Sequence, residues 1–277
     1  MVETKSKKRV GVLRGGSGKH YKSSLQKGGE IISHIYERLG KKYKVMDILV
    51  DKDYVWHLGG LPINTSDLIN KIDVVWNTTH PSFSNILDSL AIPNAGNKDY
   101  LLEKLKQFGV QMPRSVISPK SAREVFGKFG APWIVKSSNE IRIVKTFDEL
   151  SKIINDSDDV IVEEFILGKI ASLHSVPGFR GQEIYIFPLG NSFGSFSDAE
   201  KERLNALVKD LHKNIGGGHY LKMDFVLNSK SKIYLLQITG IPDLKPDSHF
   251  SQVCGYVGAE PHTVIEHILE RALERKA

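Results

Sequence analysis

Residues 218–250 read GHYLKMDFVLNSKSKIYLLQITGIPDLKPDSHF, and two strand-like runs inside this stretch, 219–227 and 233–239, constrain the fold more than any other segment. They flank the polar turn 229–232, as a β-hairpin requires. With residues 228 and 233 facing each other, Lys222 falls opposite Thr239 and Asp224 opposite Gln237. Side chains alternate along a strand, so these four polar groups share one face, while Met223, Phe225, Leu236 and Ile238 take the other. Directly opposed side chains have Cβ atoms about 4.5–5.5 Å apart. A cluster of oxygens with a cation beside it, backed by an apolar layer, suits a divalent ion and the phosphates that ion carries. The plain alternative is a two-faced hairpin with a solvated outer side.

A chain of 277 residues has room for about two domains with sizeable cores. Hydrophobic content of 40% and charged content of 25% are those of a soluble globular protein. The single cysteine, Cys254, cannot form an internal disulfide, so a reducing cytoplasm is the expected location. The N-terminus MVETKSKKRV lacks a signal-peptide apolar region, and no run approaches the ~20 apolar residues that span a bilayer. The net charge of +6 is half concentrated in the first nine residues, where Lys5, Lys7, Lys8 and Arg9 face only Glu3. The rest is scattered, with no basic stripe interleaved with aromatics, so nucleic acid is not the expected partner.

Strand and helix signals alternate in the first third. A strand over 9–13 and the glycine-containing turn 14–18 precede a helix over 24–39, whose Ile31, Ile32, Ile35 and Leu39 fall near helical spacing. Strands over 43–50 and 74–77 and a short helix over 85–90 complete a βαβ rhythm, which predicts a doubly wound parallel sheet. The turn residues of 91–96 read as a boundary. Beyond it come a strong helix from Lys98 to about 109, an extended 110–117, a helix near 122–129, a strand over 133–137, and a segment 144–154 turning helical at about 148. A buried strand over 160–165, two strands within 170–188, and long helices over 198–215 and 261–275 follow.

Several residues carry chemistry. The turn Gly15-Gly16-Ser17-Gly18-Lys19 is not a Walker A loop, because His20 stands where Ser or Thr must ligate magnesium, yet a tight strand-to-helix turn aims backbone N–H groups at an anion. Lys136 closes an apolar run, where a lysine is costly unless an anion pairs with it. Glu163 and Glu164 interrupt another apolar run, and alternation sends one of the two to solvent. His80 follows the strand at 74–77 and reads equally as a loop histidine.

Taken in order, these features resemble the ATP-grasp ligases, and among them the D-alanine–D-alanine ligase branch. The closest likeness is an acidic strand, then a strand ending in the acceptor-rich turn Thr239–Gly240–Ile241–Pro242, then Ser248 opening a helix. The resemblance implies an α/β chain with an ATP-grasp fold: an N-terminal doubly wound domain (1–96), a central lobe (97–167) and a C-terminal lobe with the metal hairpin (168–277), the lobes sandwiching the nucleotide. It implies ATP and Mg2+ as cofactors. Lys98 and Lys136 would reach the ATP phosphates, and Glu163, Glu164, Phe165 and Ile166 would read adenine. Asp224, Gln237 and Thr239 would hold the metal. Lys222 stands where the family has an oxyanion-stabilising Arg, with His80 and Ser248 as further catalytic residues, and Gly16, Lys19 and Ser248 would line the substrate.

The departures are specific. Lys19 and His20 replace the neighbourhood of a Glu that anchors the first amino acid's ammonium, and Pro81 rather than Gly follows His80. Residues 137–140 contain no glycine where a glycine-rich flap is expected, Ile170 stands at a ribose-binding Glu, and Gln237 at a Glu that bridges two magnesium ions. The resemblance implies a carboxylate–amine ligase acting through an acyl phosphate, with D-alanine and peptidoglycan synthesis as the default setting. Small carboxylate and amino-acid substrates would be its partners, with no membrane and with a homodimer as the candidate assembly. The alternative is a nucleotide-binding or regulatory protein on a degenerated ligase scaffold.

Overall fold

The computed structural model describes residues 6–18, 20–98, 105, 110–137, 141–157, 160–190, 195–216 and 218–274. Their strands form three sheets. The first takes β1 (Lys8–Gly15), β2 (Tyr43–Val50), β3 (Trp56–Leu58), β4 (Leu61–Ile63), β5 (Val74–Asn77) and β6 (Asn94–Gly96) in the order β4-β3-β2-β1-β5-β6. The four strands β2, β1, β5 and β6 pair in parallel. Val10, Val12 and Leu13 of β1 and Val74, Val75 and Trp76 of β5 are all fully buried, as central strands covered on both faces must be. Helix α1 (Tyr21–Leu39) contributes Ile31 and Ile35 to one of those faces.

Two features of this sheet differ from the sequence reading. Segment 91–96 is not merely a boundary, because Asn94, Ala95 and Gly96 pair with Val75, Trp76 and Asn77 as β6. The turn-forming residue types concealed a strand too short to show periodicity, whose only apolar contribution is the buried Ala95. The hairpin β3–β4 has no counterpart among the elements expected from the sequence. Its turn is Gly59-Gly60, both at positive φ, which is the glycine pair that tight hairpins use.

The second sheet joins β7 (Ser115–Ile117), β8 (Trp133–Lys136), β9 (Ile141–Val144) and β10 (Ile161–Glu164) in the antiparallel order β7-β10-β8-β9. Helices α2 (Ser82–Ser89), in the first sheet's region, and then α3 (Ala122–Phe126) and α4 (Phe147–Asp156) follow the chain. Ser121 and Thr146 cap α3 and α4 by accepting from Glu124 N and Glu149 N at 3.3 Å. One face of this sheet packs Val116, Trp133, Val135 and Val162 against Val125 and Leu150 of these helices. By register the other face carries Ile117, Ile161, Lys136 and Ile141 in one row.

The third sheet orders β11 (Gly168–Pro177), β12 (Ile184–Ile186), β13 (Leu221–Asn228) and β14 (Ile233–Thr239) as β12-β11-β13-β14, all antiparallel. Helix α5 (Asp198–Asn214), started by a Ser197/Glu200 capping box, lays Leu204, Val208 and Leu211 on its inner face. Of the expected helix from Lys98, only Lys98 itself and Leu105 are among the described residues, and Leu105 is buried in this same core. The chain ends in α6 (His249–Tyr256) and α7 (Pro261–Glu274). Val264, Ile265, Ile268 and Leu269 of α7 belong to one core with Val12 and Trp76 of the first sheet and with Val176 and Tyr220 of the third. The C-terminal helix therefore cements the first and third sheets together.

The hairpin register is as expected at one end and shifted at the other. Lys222 pairs with Thr239 and Asp224 with Gln237, but Phe225 pairs with Leu235 and Leu227 with Ile233. The Asn228 side chain sets the turn, accepting from Lys230 N and Lys232 N at 3.0 Å, and thereby closes the loop one residue earlier than a 228:233 pairing. A bulge with Leu236 as the extra residue restores the register at the polar end. Leu235, not Leu236, is accordingly the fully buried residue opposite Phe225. Urea unfolding should show Leu235→Ala costing about 2–5 kcal/mol, the range for a fully buried leucine, and Leu236→Ala clearly less. Equal costs would contradict the bulge.

Candidate active site

Strand pairing builds the polar face of the third sheet from three strands rather than two. Across β11, β13 and β14, one row reads Ser172–Asp224–Gln237 and the next His174–Lys222–Thr239. Residues 171 and 173 point into the apolar core, so 172 and 174 must share the face of Asp224 and Lys222. The Ser172 hydroxyl donates to Asp224 Oδ1 at 2.5 Å, and Lys222 Nζ lies 3.1 Å from the same carboxylate. Asp224 and Lys222 are both partly buried, which strengthens the pair relative to an exposed one. The expected grouping of Lys222, Asp224, Gln237 and Thr239 is thus present on one surface.

Sequence reasoning missed Ser172, His174 and His249. The imidazole of His174 is 1% exposed and engaged at both nitrogens, Nδ1 with the Tyr220 hydroxyl at 2.7 Å and Nε2 with His249 Nδ1 at 2.8 Å. Burial pushes the His174 pKa well below the ordinary histidine value, reinforced by His249 and Lys222. His249 is also shifted down, first by burial and then by the charge of Lys222, with Asp224 opposing. The alternation in Ser172-Leu173-His174 was visible, but its place beside Asp224 depends on a pairing fifty residues distant.

On the second sheet, Lys136 Nζ donates to Glu163 Oε1 at 2.7 Å, both being partly buried. Glu164 points to the opposite side of β10 and is committed elsewhere. Arg114 grips it with two parallel hydrogen bonds, Nε to Oε2 at 2.8 Å and Nη2 to Oε1 at 2.7 Å, while stacking on Phe129. Alternation therefore resolves the Glu163/Glu164 ambiguity in favour of Glu163 as the carboxylate beside Lys136. Phe165 and Ile166 are partly buried in the short link between β10 and β11, the connection between the second and third sheets.

The remaining candidates are more scattered. Lys98 lies beside Gly218, at the entrance to β13, in a cavity shared with Asp88, Asn94 and His219. His80 is exposed and bonded through Nδ1 to the Ser82 hydroxyl at 2.8 Å, where α2 begins. Ser248 caps α6, accepting from Ser251 N at 3.2 Å while its hydroxyl donates to Asp243 O at 2.7 Å. Lys19 lies outside the described residues. At the glycine turn, Gly16 sits at φ +88, and a Cβ there would come within 2.6 Å of Thr79 Oγ1, so only glycine fits. Its N–H donates to Val50 O at 2.7 Å, and that of Gly15 to Ser24 Oγ at 2.9 Å. The anion-facing N–H groups expected at these two residues are consumed internally.

As a metal site, the face offers one carboxylate and two neutral oxygens. Among the described residues no group of three or more His, Cys, Asp or Glu side chains is placed to hold an ion. The set suits a magnesium ion that arrives with its own phosphate oxygens, the usual mode of a nucleotide-borne magnesium, and not a cage of protein carboxylates.

With this geometry established, the comparisons are consistent. No family model matches the chain. It is 22% identical over 317 aligned positions to a D-alanine–D-alanine ligase of Anaeromyxobacter dehalogenans, covering 98% of this chain and 99% of that one. A D-alanine–D-alanine ligase B of Clostridium perfringens is 23% identical, with 97% and 99% covered. Among solved structures, a D-alanyl-alanine synthetase A of Vibrio cholerae superposes with a TM-score of 0.76 at 18% identity, covering 98% and 99% of the two chains. The Bacillus anthracis D-alanine–D-alanine ligase complexed with ATP gives 0.70 at 21%, covering 97% and 98%. The fold is that of the ATP-grasp ligases. In sequence the chain resembles D-alanine–D-alanine ligases at low identity, 22–23% over nearly its whole length. Among the described residues no helix is long and apolar enough to cross a membrane.

The Glu164–Arg114 pair carries a pH dependence. Arg114 holds the Glu164 carboxyl below its usual range in the folded chain. The pair therefore contributes stability above the ordinary carboxylate pKa and loses it as pH falls through the depressed folded value. Glu164→Gln should lose less stability than the wild type between neutral and strongly acidic pH, read from urea midpoints. Parallel losses would contradict the pair's contribution.

Proposed function

We propose that the chain is an ATP-dependent carboxylate–amine ligase that activates its carboxylate as an acyl phosphate, with D-alanine as the first substrate to test. The observation that carries this reading is the row Ser172–Asp224–Gln237 beside Lys222, within a chain that aligns end to end with D-alanine–D-alanine ligases. Magnesium bound with ATP would neutralise phosphate charge and draw the nucleotide to Asp224, Gln237 and Thr239. Lys136, held by Glu163, would meet a phosphate, and Lys222, held by Asp224, would supply positive charge where an oxyanion develops. Lysine keeps the charge of the family's arginine at this position but gives up its bidentate fork.

Positioning and charge neutralisation would then do most of the work, since the reaction itself passes between substrates. The amine must attack in its uncharged form, and an acyl phosphate gives it a leaving group it can displace. A regulatory protein on a decayed scaffold is the weaker reading, because the similar proteins named above are ligases, Asp224 and Lys136 match the residues the resemblance implies, and Lys222 keeps the positive charge at its position.

Calorimetric titration with a non-hydrolysable ATP analogue tests the nucleotide site. Micromolar binding should require magnesium, and Asp224→Ala should weaken it about tenfold or more, the scale of one lost charge-assisted contact. Lys136→Met should weaken it with or without magnesium. No binding at millimolar analogue, from protein shown to be folded, would overturn the proposal.

A further inference from the structure

The loop that returns from β14 to α6 has no regular structure, yet it delivers the helix whose first turn Ser248 caps. Two contacts fix where that turn sits relative to the polar face. The ring of Phe250 packs among His174, Tyr220 and Phe187, with centroids 5.4, 5.5 and 6.0 Å away. The other contact is directional. His249, the first residue of α6, reaches down to His174 on β11, which lies directly across from Lys222. Apolar packing alone holds a helix near a sheet but leaves its rotation and sliding loosely set, whereas a hydrogen bond to the buried ring of His174 restricts both.

The row is closed at its base by Tyr220, 2% exposed, whose hydroxyl meets the second nitrogen of His174. Whichever tautomer the rings adopt, each of the two internal bonds needs one hydrogen, and His174 can use only one of its nitrogens as donor in the neutral form. Removing either Tyr220 or His249 leaves one nitrogen of the buried His174 ring without this partner, at a cost in stability.

We propose that Tyr220, His174 and His249 form a positioning row that locks the first turn of α6, and the Ser248 end of the helix with it, in register with the Lys222–Asp224 face. These are positioning residues, and the role rests on the ligase reading above insofar as that helix end meets the amino-acid substrate. A helix N-terminus favours a carboxylate, so its placement sets how the amino acid is presented to the activated phosphate. ATP binding, which depends on Lys136 and Asp224, does not need the row.

The bond from His249 uses Nδ1, the ring atom that an asparagine side chain reproduces and a glutamine does not. The test compares His249→Asn, His249→Gln and His249→Leu in the full chain. His249→Leu and His249→Gln should raise the KM for D-alanine about tenfold, the scale of one buried hydrogen bond, and leave the Kd of the ATP analogue within about twofold. His249→Asn should keep both near wild type. Hydrogen exchange provides the readout independent of turnover. The Ser251 and Gln252 amides, which bond to Ser248 in the first turn, should exchange about tenfold faster in the Leu and Gln variants and not in the Asn variant. Equal behaviour of the Asn and Leu variants, in exchange and in KM, would overturn the positioning row. A wild type that shows the exchange pattern but turns over no amino acid would instead overturn the ligase reading and leave the row standing.

Discussion

Everything at the candidate site depends on the antiparallel pairing of β11, β13 and β14. That pairing alone brings Ser172 to Asp224, Asp224 to Gln237 and His174 to Lys222. The pairing is held in place by its other face, where Leu173, Leu221, Met223, Phe225 and Leu235 are fully buried against α5. A slip of one residue would exchange these apolar groups with the polar row, at the cost of several buried side chains of about 1.5–3 kcal/mol each. The core therefore specifies the register, and the register assembles the chemistry. The bulge at Leu236 reconciles a turn closed by Asn228 with a polar end that must keep Asp224 opposite Gln237.

The same logic explains how the pieces are joined. The C-terminal helix α7 shares one core with β1 and β5 and with the far end of β11, so the first and third sheets are continuous through its apolar side. The second sheet has its own core. The segment leading into its strand β7 is tied to the third sheet by a bridge from Gln111 to Tyr234 and a hydrogen bond from Leu235 N to Gln111 O at 2.9 Å. Lys136 and Glu163 thus stand on a sheet whose core is separate from that of the sheet carrying Asp224.

Much of this was legible in the chain. Strand 43–50, the long helices and the hairpin carrying Lys222 and Asp224 follow from periodicity, because each is long enough to alternate or repeat, and strand 74–77 follows from its continuous apolar run. What was hidden has physical reasons. Strand β6 is three residues of turn-forming type, paired only through tertiary contact. Leu235 and Leu236 are chemically identical, and only the bulge decides which is buried. Glu163 and Glu164 were interchangeable until Arg114, fifty residues away, claimed one of them. His174 and His249 carried no local signal, since their bond spans seventy-five residues. The glycine turn was recognisable as a turn, but the N–H groups of Gly15 and Gly16 are spent on Ser24 and Val50.

The proposal stands on this face, with its one carboxylate and its lysine, driving ligation. The most direct measurement is release of ADP and phosphate from ATP by the purified protein, with and without magnesium and D-alanine. The account predicts release that requires both, with a D-alanyl dipeptide accumulating in equal amount. ATP analogue binding without any amino-acid-dependent release, across D- and L-amino acids alike, would contradict it.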